Sequence, residues 1–214
     1  MSANLTLPLD IPNVRVLETT INPTGECIIT VESTLDFAQC RQCGRAIDKL
    51  HGHGAELCLR HLPLWGQRVY ISLRPKQYQC LHCPDQPVTT QKLTWYDPKS
   101  PNTRAYEEAV LLQMVDGTMS DASLKKNLTP DTLADIVTRW MSLPVEWRDY
   151  EGLQQLGLNE IPLQDDDQTR VMIVTAEKAD GRSVVLAVLQ DCRKETIREF
   201  LRTVPSCTQV DQFG

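Results

Sequence analysis

Two Cys-x-x-Cys pairs, Cys40-Arg41-Gln42-Cys43 and Cys80-Leu81-His82-Cys83, stand 36 residues apart in a chain of 214 residues, and no other feature restricts its folding as much. A tight turn between two cysteines lets both sulfurs point at one ion, and two such turns complete a tetrahedron. Gly44, directly after the first pair, suits the backbone that closes such a turn. The spacing predicts a structural zinc site of Cys40, Cys43, Cys80 and Cys83, closed by four thiolates and with no position left for a substrate. Four packed thiols or a redox pair are the competing readings. A redox Cys-x-x-Cys, however, normally occurs once and beside a βαβ pattern, whereas two pairs occur here with strand-like sequence between them. His51, His53, Cys58, His61 and His82 could add ligands, but the four-sulfur set is complete without them, so they read as packing or hydrogen-bonding groups. Cys27, Cys192 and Cys207 read as structural thiols.

Metal thiolates rather than disulfides imply a reducing compartment. Residues 1–10 carry no Lys or Arg and no long apolar run, unlike a secretory or organelle leader, and no apolar stretch approaches the ~18 residues of a membrane span. The sequence-based expectation is a cytoplasmic protein without membrane association.

The net charge of -6 is unevenly distributed. Residues 1–36 carry -4, residues 37–145 carry +3, and residues 146–214 carry -5. Within 37–83 there are seven cations, Arg41, Arg45, Lys49, Arg60, Arg68, Arg74 and Lys76, against Asp48 and Glu56 alone. Such a local excess can supply phosphate contacts, so the cysteine-bearing segment is the candidate DNA-facing surface.

Along the chain, residues 14–17 and 27–32 read as strands around the turn Asn22-Pro23-Thr24-Gly25, and 68–73 and 76–80 read as strands separated by Pro75. Pro84, Pro87, Pro98 and Pro101 punctuate a connection with a boundary near 97–101. Helices follow: 102–116 with Gly117 as C-terminal cap, 120–126 opened by Ser120, and a third with Thr129 as N-cap and Pro130 in its first turn. The third carries Leu133, Ile136, Val137, Trp140 and Met141 at the spacing of one buried face, and Pro144 ends it. Lys125, Lys126 and Arg139 are the cations available to phosphate here, while Asp131 and Asp135 count against base reading. Strands at 156–163, 170–175 and 183–189 are joined by Asp165-Asp166-Asp167 and Ala179-Asp180-Gly181, and a helix spans 193–204. The three acids at 165–167 read as a solvated turn. The expected fold class is α+β and multidomain: a β-rich zinc-ribbon-like module at 1–96, a helix-turn-helix at 102–143, and a partial RNase H-like β-β-β-α unit at 153–214.

This order of parts resembles the ISL-type insertion-sequence transposases, which join a zinc-binding N-terminal domain and a helix-turn-helix to a DDE core of RNase H-like fold. Three stretches carry the resemblance. The first comprises Cys40-Arg41-Gln42-Cys43-Gly44, Leu59-Arg60-His61-Leu62-Pro63-Leu64-Trp65-Gly66 and Tyr78-Gln79-Cys80-Leu81-His82-Cys83; the second is 127–140. The third is Leu156-Gly157-Leu158-Asn159-Glu160-Ile161 with Asp191-Cys192-Arg193-Lys194-Glu195-Thr196. The resemblance implies a protein that binds transposon-end DNA, with a homodimer compatible. It also sets Asn159 where the first DDE aspartate belongs, so no catalytic residue is assigned, and an amide does not supply the charge that offsets Mg2+. Glu160 alternates to the opposite strand face, and Asp211 lacks a preceding apolar strand. The chain therefore reads as a truncated transposase without strand transfer, with Mg2+ relevant only to a complete core. A zinc-stabilised regulatory or protein-interaction module without DNA binding is the alternative.

Overall fold

The structure, a computed structural model, describes Leu9 and residues 11–163, 170–205 and 212–213; Asp165, Asp166, Asp167, Cys207 and Asp211 lie outside the described residues. The fold is mixed α+β and mostly β, and the chain divides into two compact units, residues 1–106 and 107–214.

In the first unit, β1 (Val14–Ile21) and β2 (Cys27–Ser33) form an antiparallel hairpin. The Asn22 side chain accepts the Thr24 and Glu26 backbone N–H groups at 3.1 and 2.8 Å, which pins the turn. Strand β6 (Leu57–Leu64) pairs with β7 (Gln67–Leu73), and β7 runs parallel to β2, giving the order β1-β2-β7-β6. Ile29, Val31, Leu59, Val69, Ile71 and Leu73 alternate onto one face and pack with Trp95 and Tyr96. The strand β6 is a finding beyond the sequence reading, because a histidine sits where the apolar alternation calls for a hydrophobe. Buried His61 satisfies both ring nitrogens, one with the Thr103 hydroxyl at 2.9 Å and the other with the Leu9 carbonyl at 3.0 Å.

The β6–β7 turn has two central residues, Trp65 and Gly66, both with left-handed backbone at φ 48° and 77°. Asn-Gly is the usual occupant of such a turn, and a bulky residue there costs roughly 1–2 kcal/mol. Trp65 is 79% exposed and recovers little of this by packing.

The remaining strands of this unit are short. β3 (Ala38–Gln39) pairs with β4 (Ala46–Ile47), and β5 (Leu50–His53), β8 (Lys76–Gln79) and β9 (Val88–Thr90) form a sheet of order β5-β8-β9.

The second unit begins within α1 (Arg104–Val115), followed by α2 (Met119–Lys126) and α3 (Pro130–Met141). Thr118, not Ser120, caps α2: its hydroxyl accepts the Asp121 N–H at 3.0 Å while the Asp121 carboxylate accepts the Thr118 N–H at 3.1 Å. Gly117 is not left-handed; its missing side chain instead makes room for Asp121, whose carboxylate would lie 3.2 Å from a Cβ there. On α3 the expected positions Leu133, Ile136, Val137 and Trp140 are buried. The carboxylate of Glu107, only 3% exposed, accepts from Arg139 at 2.5 Å and from the Trp140 indole N–H at 3.0 Å, locking α1 to α3.

The sheet of this unit comprises β10 (Leu153–Pro162), β11 (Arg170–Lys178), β12 (Ser183–Leu189) and β13 (Gln212–Phe213) in the order β12-β11-β10-β13. The first three are antiparallel and β13 is parallel to β10. Leu156, Met172, Val174 and Ala176 pack with Phe200 of α4 (Lys194–Leu201). The Glu108 carboxylate accepts the Val185 N–H at 2.8 Å, and burial pushes its pKa up.

Two stability changes follow. Trp65→Asn, which restores Asn-Gly, is expected to stabilise the chain by about 1 kcal/mol in denaturant titration. Glu107→Ala leaves a largely buried guanidinium without its carboxylate and is expected to cost about 3–5 kcal/mol in the same measurement.

Candidate metal centre

Each cysteine pair occupies a turn closed by backbone hydrogen bonds. Between β3 and β4, the Cys40 N–H donates to Arg45 O at 2.8 Å and the Gly44 N–H donates to Cys40 O at 2.9 Å, with Gly44 at φ 69°. Between β8 and β9, the Cys80 N–H donates to Pro87 O and the Gln86 N–H donates to Cys83 O, both at 3.0 Å, and Gln86 takes φ 44°. The Arg41 N–H donates to the Thr89 hydroxyl at 3.2 Å, tying the first turn to β9.

All four sulfurs lie within 4.8 Å of one another. Cys40 Sγ is 3.9 Å from Cys83 Sγ, Cys43 Sγ is 3.8 Å from Cys80 Sγ, and Cys80 and Cys83 are 3.6 Å apart. A tetrahedral ion with Zn–S bonds of about 2.3 Å separates its sulfurs by about 3.8 Å. A disulfide brings them to about 2.05 Å. The four cysteines therefore form a set that can bind a metal ion and that fits structural zinc. Among the described residues no other group of three or more His, Cys, Asp or Glu side chains converges in this way.

The backbone N–H groups of Cys43 and Gln42 pull the Cys40 thiol down to about 6, whereas burial pushes Cys83 up. The lowered sulfur favours the thiolate form that a cation needs, and a buried neighbour would give up its proton as a cation takes its place.

The cations singled out in the sequence fall into two groups. Arg41, Arg45, Lys49 and Lys125 are exposed, with no ion pair among the described residues. Arg68, Arg74, Lys76 and Arg139 are committed to Glu26, Glu56, Asp36 and Glu107 at 3.7, 3.0, 2.7 and 2.5 Å. Lys76 and Arg139 are also largely buried, at 14% and 19% exposure. Arg60 lies over the Tyr106 ring, 4.7 Å from its centroid, and Lys126 is half-buried. No pairing partner was identifiable for any of these from the sequence, since the carboxylates come from distant segments or other strands.

Asn159 lies mid-strand on β10, and its amide nitrogen donates to Ile173 O and to the Thr175 hydroxyl, both at 3.1 Å. Glu160, on the other face, pairs with Arg170 at 2.9 Å. Asp191 is engaged with Arg193 and with the Thr196 hydroxyl at the start of α4, and these hydrogen bonds hold its pKa well below the usual carboxylate range. No helix among the described residues is long and apolar enough to cross a membrane. Compared with known protein families, curated proteins and solved structures, the chain matches none.

Metal analysis of the purified chain is expected to give one zinc per molecule, with Cys80→Ser losing it and Cys58→Ser, an exposed cysteine outside the cluster, retaining it. Acidification should release the ion, because protons compete for the four thiolates.

Proposed function

We propose that this chain is a transposase-derived DNA-binding protein that recognises transposon-end DNA, with structural zinc holding its basic module and with no strand-transfer activity of its own. The observation that carries the reading is the convergence of four sulfurs beneath a surface offering Arg41, Arg45 and Lys49 without ion pairs. Fixed cations on a stapled scaffold meet phosphates with little ordering cost, which suits backbone contacts that position a protein on a duplex. The exposed Lys125 in the last turn of α2 adds a cation beside the helices read as a helix-turn-helix. Support for an RNase H-like core comes from the three antiparallel strands followed by a helix and a strand parallel to the first. The committed amide of Asn159 supports inactivity, since it spends its donors on the sheet where the resemblance calls for a cation-binding carboxylate.

A second reading, a zinc-stabilised protein-interaction module, draws on the exposed Asp131 and Asp135 of α3, which would face phosphates unfavourably.

Gel-shift titration on duplex DNA at several salt concentrations separates the two. The proposed function expects affinity to fall linearly on a double-logarithmic plot, and the triple substitution Arg41→Ala, Arg45→Ala, Lys49→Ala to flatten the slope by about 2–3. Failure to bind any duplex at about 50 mM salt would leave the interaction module standing instead.

A further inference from the structure

The four sulfurs of the cluster are unequally open to water. Cys40, Cys80 and Cys83 are 3%, 0% and 6% exposed, whereas Cys43 is exposed. A small dissolved reagent therefore meets the set at Cys43 first. Cys58 is exposed as well, but it lies outside the cluster and has no sulfur to pair with there. Partial desolvation and the Glu56 carboxylate also push its pKa up, which keeps it in the less nucleophilic thiol form.

The sulfur hydrogen-bonded to Cys43 belongs to the other turn. Cys80 Sγ stands 3.8 Å away, and about 0.9 Å of movement by each side chain brings the two to the ~2.05 Å of a disulfide. Two contacts that need no ion hold the turns in this register. The Arg41 N–H donates to the Thr89 hydroxyl at 3.2 Å, and the Gln42 amide, turned so that its oxygen does not oppose the carboxylate, donates to both Asp85 oxygens at 3.0 and 3.2 Å. A bond between residues 43 and 80 would keep the two turns tied, whereas a bond inside either Cys-x-x-Cys turn would leave them separate.

We propose that Cys43 is an oxidation site at which a hydroperoxide opens the metal centre, with Cys80 as the resolving sulfur and a Cys43–Cys80 disulfide as the product. This rests on the metal-centre reading and is independent of DNA binding. The Cys43 thiolate attacks one peroxide oxygen and releases hydroxide, leaving a sulfenic acid. The Cys80 thiolate attacks that sulfur and releases a second hydroxide as the disulfide closes. Each sulfur gives up one electron, and the peroxide, having taken two, ends as two water molecules after protonation. With two of its four thiolates consumed, the cation is no longer held, while the new bond takes over the joining of the turns. A dithiol reductant returns both thiols and restores the set.

The test treats the full, zinc-loaded chain with hydrogen peroxide, follows zinc release with a colorimetric chelator, and maps the cysteines by peptide mass spectrometry. Zinc content before the oxidant is added reads the metal-centre reading by itself: a chain that holds no zinc sinks that reading and this inference with it. In a zinc-loaded chain, dimedone, which captures sulfenic acids, is expected to label Cys43 ahead of the other three ligands. Without dimedone, loss of the zinc should accompany loss of two thiols and appearance of the Cys43–Cys80 bond, and dithiothreitol with added zinc should reverse all three changes. Cys58→Ser should release zinc at the wild-type rate. First labelling at Cys40, Cys80 or Cys83 overturns the proposal. So does a first disulfide within one turn, or a release that slows in Cys58→Ser.

Discussion

Four sulfurs within 4.8 Å of one another are the constraint on which the candidate metal-binding region depends. The apolar cluster around them consists of Ala38, Cys40, Ile47, Tyr78, Cys80 and Cys83, so half of what is buried there is itself ligand. A core this small cannot offset the conformational entropy of the loops it joins, and an ion bound by the four sulfurs would contribute the missing term. The strands β3, β4, β5, β8 and β9 are two to four residues long, and isolated ribbons of that length are marginal in water. An ion bound there would convert these short strands into a fixed surface, and only a fixed surface gives Arg41, Arg45 and Lys49 a definite spacing.

Much of this was legible in the sequence where residue type alone decides the outcome. The two cysteine pairs announced the cluster because two Cys-x-x-Cys turns can each aim both sulfurs at one point. Thr129-Pro130 and the apolar spacing through Trp140 announced α3 because capping and burial there agree. What could not be read is what distant segments supply. Strand β6 carries a histidine on its buried face, acceptable only because Thr103 and Leu9 meet both ring nitrogens. The second metal turn lacks a glycine, and Gln86, three residues beyond Cys83, adopts the left-handed backbone in its place. The parallel pairing of β2 with β7 joins segments about 40 residues apart, which no local pattern encodes.

The same limit applies to charge. Counted along the chain, residues 37–83 present seven cations against two acids, yet three of the seven meet carboxylates, two of which, Glu26 and Asp36, lie outside that window. The exposed pairs of Arg68 and Arg74 contribute little to stability, but together with that of Lys76 they take three of the seven charges away from a polyanion. Arg41, Arg45 and Lys49, which lie in or beside the first cysteine turn, have no ion pair among the described residues. Linear composition thus overstated how many of the charges in this segment are free of carboxylates.

The surroundings of Asn159 show how local structure can be fitted to an amide rather than to a carboxylate. Gly157 precedes it by two residues on the same face of β10, and a Cβ at Gly157 would stand 2.5 Å from the Thr175 hydroxyl. The missing side chain lets Thr175 approach, and its oxygen then accepts the Asn159 amide at 3.1 Å while Ile173 O accepts the same nitrogen. A carboxylate in this position has no proton to give and would set one of its oxygens against the Ile173 carbonyl. Two acceptors facing one another in a half-buried site repel unless a proton or a cation lies between them. Strand, glycine and threonine therefore agree on a donor at position 159, and that agreement gives the site the character of a structural hydrogen-bond node rather than that of a cation ligand.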